Sequence, residues 1–294
     1  LNNFEAVSKN EKVAFSMRYL NADDFDFQLM ADKVLIDRLD ISSEDFQMGG
    51  TLDLDISFKR NLSTNSLNID GNILGFNLNK LFMGDLSFFT EGNTENNSYG
   101  VNLLLSEGVN ETLIGNGNLF GIDEKPSLNI DFNFNDFNLS FLNPIGNGDI
   151  DNIRGKVSGD LNLSGSIDNL SHQGKLILDD GGLSISQVNT DYKIRSGTVV
   201  NLKNQTFNFQ PTTFKDIKFG TQAQLSGKID HNNFKNWTFD FNILSDRILM
   251  LNIDEKSDSV FFGDGFLGGE INLYGPSKNL IIDVVGSTME GTNI

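Results

Sequence analysis

The stretch SLNIDFNFNDFNLSF, residues 127–141, decides the fold class. Leu128, Ile130, Phe132 and Phe134 are apolar at every second position, with Asn and Asp between them. After Phe134 the phase slips by one residue, and Phe137, Leu139 and Phe141 take up the beat. Successive side chains of a β-strand point to opposite faces, so this spacing predicts a strand with one greasy face and one wet face.

The pattern recurs along the chain. TLDLDISF (51–58) places Leu52, Leu54, Ile56 and Phe58 on one face, and DLNLSG (160–165) does so with Leu161 and Leu163. GKLILDD (174–180) offers Leu176 and Leu178, and WTFDFNIL (237–244) offers Trp237, Phe239, Phe241 and Ile243. GEINLYG (269–275) adds Ile271 and Leu273. SLNID (66–70), GLSIS (182–186), TVVNL (198–202) and TFNFQ (206–210) read as further strands. Turn signals fall at Asn96-Asn97, Asn147-Gly148, Asp179-Asp180-Gly181-Gly182 and Gly275-Pro276. Strands of about five to eight residues joined by short polar turns predict antiparallel meanders. Helical material is scarce. FNLNKLF (76–82) and FNLSFLN (137–143) share F-N-L-x-x-L and are each predicted to form one helical turn. Their echo suggests a repeated unit of meander plus short helix. SDRILMLN (245–252) is a third, more ambiguous helical candidate.

Length and composition narrow the class. The 294 residues suffice for two domains or one large all-β domain. Only 38% are hydrophobic, but 25 are Phe, so apolar area is concentrated at alternate strand positions. A compact sandwich fits this composition, and so does a sheet whose apolar face is left for something else. A net charge of −18 repels phosphate backbones and argues against nucleic acid as a partner. With no Cys, neither a disulfide nor a thiolate metal site can form. No run approaches the roughly 18 apolar residues of a membrane helix. The chain opens on Leu1 without a signal sequence, so a fragment of something longer is expected, with any anchor outside it.

No chemical site emerges. GDGFLGG (263–269) spells G-x-G-x-x-G, but a strand pattern follows where a dinucleotide site needs a helix, so it reads as a turn. Asp53 and Asp55, like Asp23, Asp24 and Asp26, lack the spacing of a calcium loop and read as solvated faces. His172 and His231 are the only histidines and lie far apart in sequence, without evident partners. No catalytic residue, metal or cofactor is expected. The scarcity of Trp and Tyr, one and four against 25 Phe, argues against the aromatic girdles of a membrane barrel.

From Ile150 onward the chain resembles the TamB/AsmA-like translocation and assembly family. The phrase carrying the likeness is G-x-(V/L)-x-G, a strand, a Gly, then G-x-L-x-L ending in Gly-Leu. Gly155, Gly159, Gly165, Gly174 and Gly182 sit at its glycines. Residues 221–288 resemble a C-terminal segment of that family. They contain Leu225-Ser226-Gly227, then Phe234, Trp237 and Phe239, then SDRIL (245–249), the aromatic–Gly turn at 261–263 and Gly275-Pro276. The likeness covers roughly the second half. Residues 1–149 share only its style, and the family's final segment does not follow.

The resemblance implies an elongated, mostly antiparallel curved sheet folded into a U-shaped hydrophobic groove, a β-taco, with one or two short helices. Residues 1–149 would form groove modules continuous with a TamB-like segment at 150–294. Alternate residues would line the groove for phospholipid acyl chains, and Asp53, Asp55, Asp240 and Asn242 would face water. It further implies a periplasmic bridge in a Gram-negative-type envelope, anchored at the inner membrane and linked to an Omp85-type outer-membrane barrel. Lipid passage is the first expectation. A scaffold or chaperone for outer-membrane barrel assembly is the second.

Overall fold

A computed structural model describes residues 2–39, 46–62, 65–93, 98–121, 125–146, 148–255 and 262–294. The turn expected at Asn96-Asn97, Asn147 of the next, and Phe261 of the aromatic–Gly turn lie outside the described residues. The fold is all-β, and every registered strand pair is antiparallel. The chain forms two compact units: residues Leu1–Asn135 with Asn162–Leu170, and Asp136–Leu161 with Ser171–Ile294.

The first unit is an up-and-down meander. Its strands are β1 (Asn2–Ser8), β2 (Glu11–Asn21), β3 (Asp24–Leu35), β4 (Met48–Arg60), β5 (Asn65–Leu78), β6 (Leu81–Asn93), β7 (Ser98–Glu107), β8 (Asn110–Phe120) and β9 (Ser127–Asn138) up to Asn135. Each pairs with the next. The second unit contains β10 (Ile150–Ser166) and β11 (Asn169–Ile185), apart from residues 162–170. It continues with β12 (Thr190–Ile194), β13 (Thr198–Asn204), β14 (Thr206–Asp216), β15 (Gln222–Asn232), β16 (Lys235–Ile253), β17 (Gly263–Pro276) and β18 (Ile281–Thr288). β11 pairs with β13 through residues 172–178 and with β12 through residues 182–185, and β14 takes up both in turn. From β14 to β18 the order is sequential.

Several local expectations are corrected. FNLNKLF is not helical: Phe76 to Leu78 end β5, and Leu81 opens β6. Asn79 and Lys80, at φ 51° and 67°, make the two-residue turn between them, a conformation Asn tolerates well. Of FNLSFLN, Phe137 and Asn138 finish β9, and a 3₁₀ helix runs over Ser140–Gly146. Its Asn143 donates to the Ile153 carbonyl and accepts from the Ile153 amide at 2.7 Å, which ties the turn to β10. SDRILMLN is strand, within β16. GDGFLGG is likewise strand, the start of β17. Asp179 to Gly182 do not end a strand, because Asp180 at φ 49° kinks β11 where it changes partner. Gly275-Pro276 close β17, and the turn follows them. Most strands therefore run longer than the expected five to eight residues, up to 19 in β16, where bulges absorb breaks that look like turns.

Candidate functional site

In an antiparallel ladder, directly paired residues share a face. In the first unit the register lines Phe15, Leu29, Ile56 and Ile69 up across β2 to β5, and continues through Thr90, Val101 and Gly117 to Ile130 on β9. A parallel line runs from Met17 through Phe27, Phe58 and Leu67 to Tyr99, Leu119 and Leu128. Leu54 and Phe132 belong to a third line, and Leu52 and Phe134 to a fourth. All eight lining residues expected in this unit's β4 and β9 thus share one face. Rings touch along it: Phe27 lies 5.6 Å from Phe58 and 6.3 Å from Phe15, and Phe132 lies 6.4 Å from Phe134. Glycines make room for rings. The Phe88 ring lies over Gly71, where a Cβ would stand 2.2 Å from it.

That face is sealed only in part. Ile130 is buried, as are Ile73, Thr90, Tyr99 and Leu105 on the same lines, but Leu52, Leu54, Ile56, Phe58, Leu128, Phe132 and Phe134 are only half-buried. Inward residues of central strands in a closed sandwich lose nearly all contact with water. Asp53 and Asp55 lie on the other face, where the Lys33 amide donates to Asp53 at 2.9 Å and Gln28 Nε2 to Asp55 at 3.4 Å. A shallow hollow of about 310 Å³ beside Asp70, Phe89, Asn102 and Asn116 opens mainly on that wetter face and is not the expected groove.

In the second unit the register places Leu176, Val200, Phe209, Phe241 and Leu273 on one face, and Leu178, Leu225, Ile243 and Ile271 beside them. Leu161 backs onto Gly174, and Phe239 pairs with Ile229. Leu161, Leu176, Leu178 and Ile271 are buried, whereas Trp237, Phe239, Phe241, Ile243 and Leu273 are half-buried. Leu163, in the short segment assigned to the first unit, is also half-buried. Asp240 and Asn242 alternate to the other side, where Asn242 donates to Glu270 at 2.6 Å.

Contacts between strands that are not neighbours show that the sheet of this second unit curls over its apolar face. His172 of β11 and His231 of β15 are separated by β13 and β14, about 14 Å in a flat sheet at ~4.8 Å per strand. Their Nε2 atoms nevertheless lie 2.8 Å apart. At the other end of the strands, the Tyr192 hydroxyl of β12 donates to the Leu249 carbonyl of β16 at 2.8 Å, again past two intervening strands. Burial pushes the Tyr192 hydroxyl up to about 12, so it remains a donor. Between these two closures Phe209, Phe239 and Phe241 stay half-exposed, with Phe209 and Phe241 edge to face at 5.4 Å.

The histidine pair overturns the expectation that His172 and His231 lack partners. Both are buried, at 1% and 7% exposure, and both sit at the inward parity of their strands. His172 packs on Phe207 at 4.6 Å, and His231 stacks on Phe234 at 4.5 Å and lies 5.1 Å from Trp237. Parity alone could have placed both imidazoles on the apolar face. Their meeting depends on curvature, which no local pattern encodes. Burial first, then the neighbouring imidazole, lowers His172 to about 4, and burial lowers His231. Among the described residues no three His, Asp or Glu side chains are grouped to hold a metal ion, and no helix is long and apolar enough to cross a membrane. Comparison with protein-family models, curated proteins and solved structures finds no match to this chain.

Proposed function

We propose that the apolar faces carry phospholipid acyl chains, and that the protein is a non-catalytic bridge moving them between the two membranes of a bacterial envelope. The observation that carries the reading is an apolar face continued from strand to strand on which Leu52, Leu54, Ile56, Phe58, Phe132, Phe239 and Phe241 stay half-exposed among buried neighbours, with mostly polar residues on the reverse side. Removing a methylene from water is worth about 0.8 kcal/mol, so an apolar gutter lowers the barrier to moving a tail without any chemical step. A lining that is greasy without a polar anchor lets the tail slide. The periplasmic setting, the inner-membrane anchor outside this segment and the Omp85-type partner follow from the family resemblance. Photo-reactive residues at Phe132, Phe239 or Phe241 are expected to crosslink phospholipid, and Phe239→Asp is expected to stop transfer while leaving the fold intact. Crosslinks to protein alone would sink the proposal.

The alternative, a scaffold for outer-membrane strands, is favoured by one feature. β18 is exposed throughout, including Ile281, Ile282, Val284 and Val285, and pairs only with β17 among the described strands. An edge of that kind accepts an added strand. Adducts to unfolded barrel proteins, with no lipid adduct, would select this reading.

A further inference from the structure

The buried histidine pair has its protons assigned by its surroundings. The Phe234 amide donates to His231 Nδ1 at 3.0 Å, so that nitrogen carries no proton. His231 is therefore protonated on Nε2 and donates across the 2.8 Å contact to His172 Nε2. His172 then carries its proton on Nδ1, which is buried without a well-formed hydrogen bond. Both acceptor nitrogens of the pair are occupied. An added proton must go to His231 Nδ1, displacing the Phe234 amide, or to His172 Nε2, confronting the His231 N–H. Either route breaks one of the two hydrogen bonds.

What those bonds hold is strained. Asn233 and Phe234 form the two-residue turn between β15 and β16 at φ 52° and 58°. For a bulky side chain such as Phe this left-handed backbone is unfavourable and persists only where the surroundings enforce it. Here the enforcement comes from the hydrogen bond to His231, the stacking of the two rings at 4.5 Å and the Asn233 amide's bond to Gln205 Oε1 at 2.6 Å, of which the first two depend on His231.

We propose that His172 and His231 form an acid-sensitive latch: a proton on His231 Nδ1 displaces the Phe234 amide directly, and one on His172 Nε2 does so by forcing His231 to turn its Nε2–H away, so that either releases the Asn233–Phe234 turn and bares Phe207, Phe234 and Trp237 at that end of the apolar face. The charged side chains close to the pair along its strands and their paired neighbours include Asp160 of β10, Lys175 of β11, Lys203 of β13, Lys228 and Asp230 of β15, and Lys235 of β16, whereas Lys215 and Asp216 of β14 lie towards the other end of that strand. Asp230 is the one that favours a charged His231, and it is already held by Lys228 at 2.8 Å and by the Thr206 hydroxyl at 2.5 Å. It offers the imidazolium only a shared counter-charge. A metal bridge is a poorer account, because the Phe234 amide requires a protonated His231 Nε2. The latch stands whether or not lipid occupies the face.

Trp237 is the only Trp, so its emission reports this end of the sheet directly. The experiment follows Trp237 fluorescence and hydrogen exchange of the Phe234 amide in the whole chain, without lipid, from pH 7.5 to 4. The expected result is a reversible emission change and a loss of Phe234 protection on the order of tenfold or more after correction for intrinsic exchange, with the β-sheet circular dichroism unchanged. The doubly substituted His172→Gln, His231→Asn chain keeps side-chain acceptors that do not titrate, and should lose the response. Unchanged emission and protection in the wild type would overturn the proposal, as would a transition of the same midpoint in the double variant. If that variant does not fold, nuclear magnetic resonance of the two wild-type imidazoles decides. Loss of Phe234 protection in step with their protonation supports the latch, and protection retained after both are protonated refutes it.

Discussion

Tyr192 and His172 show how single side chains close the curl of the second unit. The Tyr192 hydroxyl is buried against Phe214, with ring centroids 4.3 Å apart, and satisfies the Leu249 carbonyl. Tyr192→Phe keeps the ring and removes the donor, leaving a buried acceptor short of a partner, which costs about 1–3 kcal/mol. Urea denaturation should show this as a lower midpoint with an unchanged slope. His172 makes stability depend on pH. An unfolded imidazole takes a proton near 6.5, whereas the folded one resists to about 4. Between those values the unfolded chain binds the extra proton, so stability falls as pH drops from 6.5 towards 4 and levels off below. The full fall is about 3 kcal/mol, and His172→Phe should flatten it in denaturation curves measured across that window. The residue sequence hid this interaction because both histidines were isolated in every local window, and only their strand parity placed them inward.

At the scale of elements, period-two alternation was a dependable guide to strands and a poor one to their ends. The phase slip after Phe134 coincides with a left-handed residue, since Asp136 takes φ 51° inside β9 and Phe137 is buried on resumption. A slip of one residue is what one extra residue in a strand produces, so this local irregularity was visible in the sequence. FNLNKLF misled because Leu78, Leu81 and Phe82 have helical spacing, while a two-residue turn with a strand on either side produces the same spacing. The glycines divide in a similar way. Gly84 has φ 121°, and a Cβ there would meet the Ser106 carbonyl oxygen at 2.2 Å, so neither backbone nor neighbour can yield. Gly84→Ala should destabilise the first unit by about 2–3 kcal/mol. At Gly71 the obstacle is the movable ring end of Phe88, and Gly71→Ala should cost clearly less while displacing that ring. Comparing the two by thermal unfolding tests whether backbone approach, rather than glycine itself, shapes the sheet.

For the whole molecule, alternation told which residues share a face, but not how much of that face is covered. The lines through Ile56 to Ile130 and through Phe241 to Leu273 were legible as sets, because register keeps parity. Their half-burial was not legible, since it depends on the curvature that bulges and glycines impose across neighbouring strands. Half-burial carries a quantitative consequence for the proposed lipid. A fully desolvated methylene contributes about 0.8 kcal/mol, and one left open on one side contributes about half of that. Lengthening a fatty acyl probe by two methylenes should therefore tighten binding by about four-fold on an open face, rising to about fifteen-fold in a closed one. Titrating the chain with probes of increasing length gives a slope that measures enclosure. Affinity that ignores length would mean that headgroup or charge does the binding, and with 40 acidic residues against 22 basic ones the charge balance does not favour an anionic headgroup. A length-dependent slope near the lower value would locate the tail on the half-exposed rows of Phe, Leu and Ile, and Phe58→Asp or Phe239→Asp should then reduce that slope in proportion to the lining each removes.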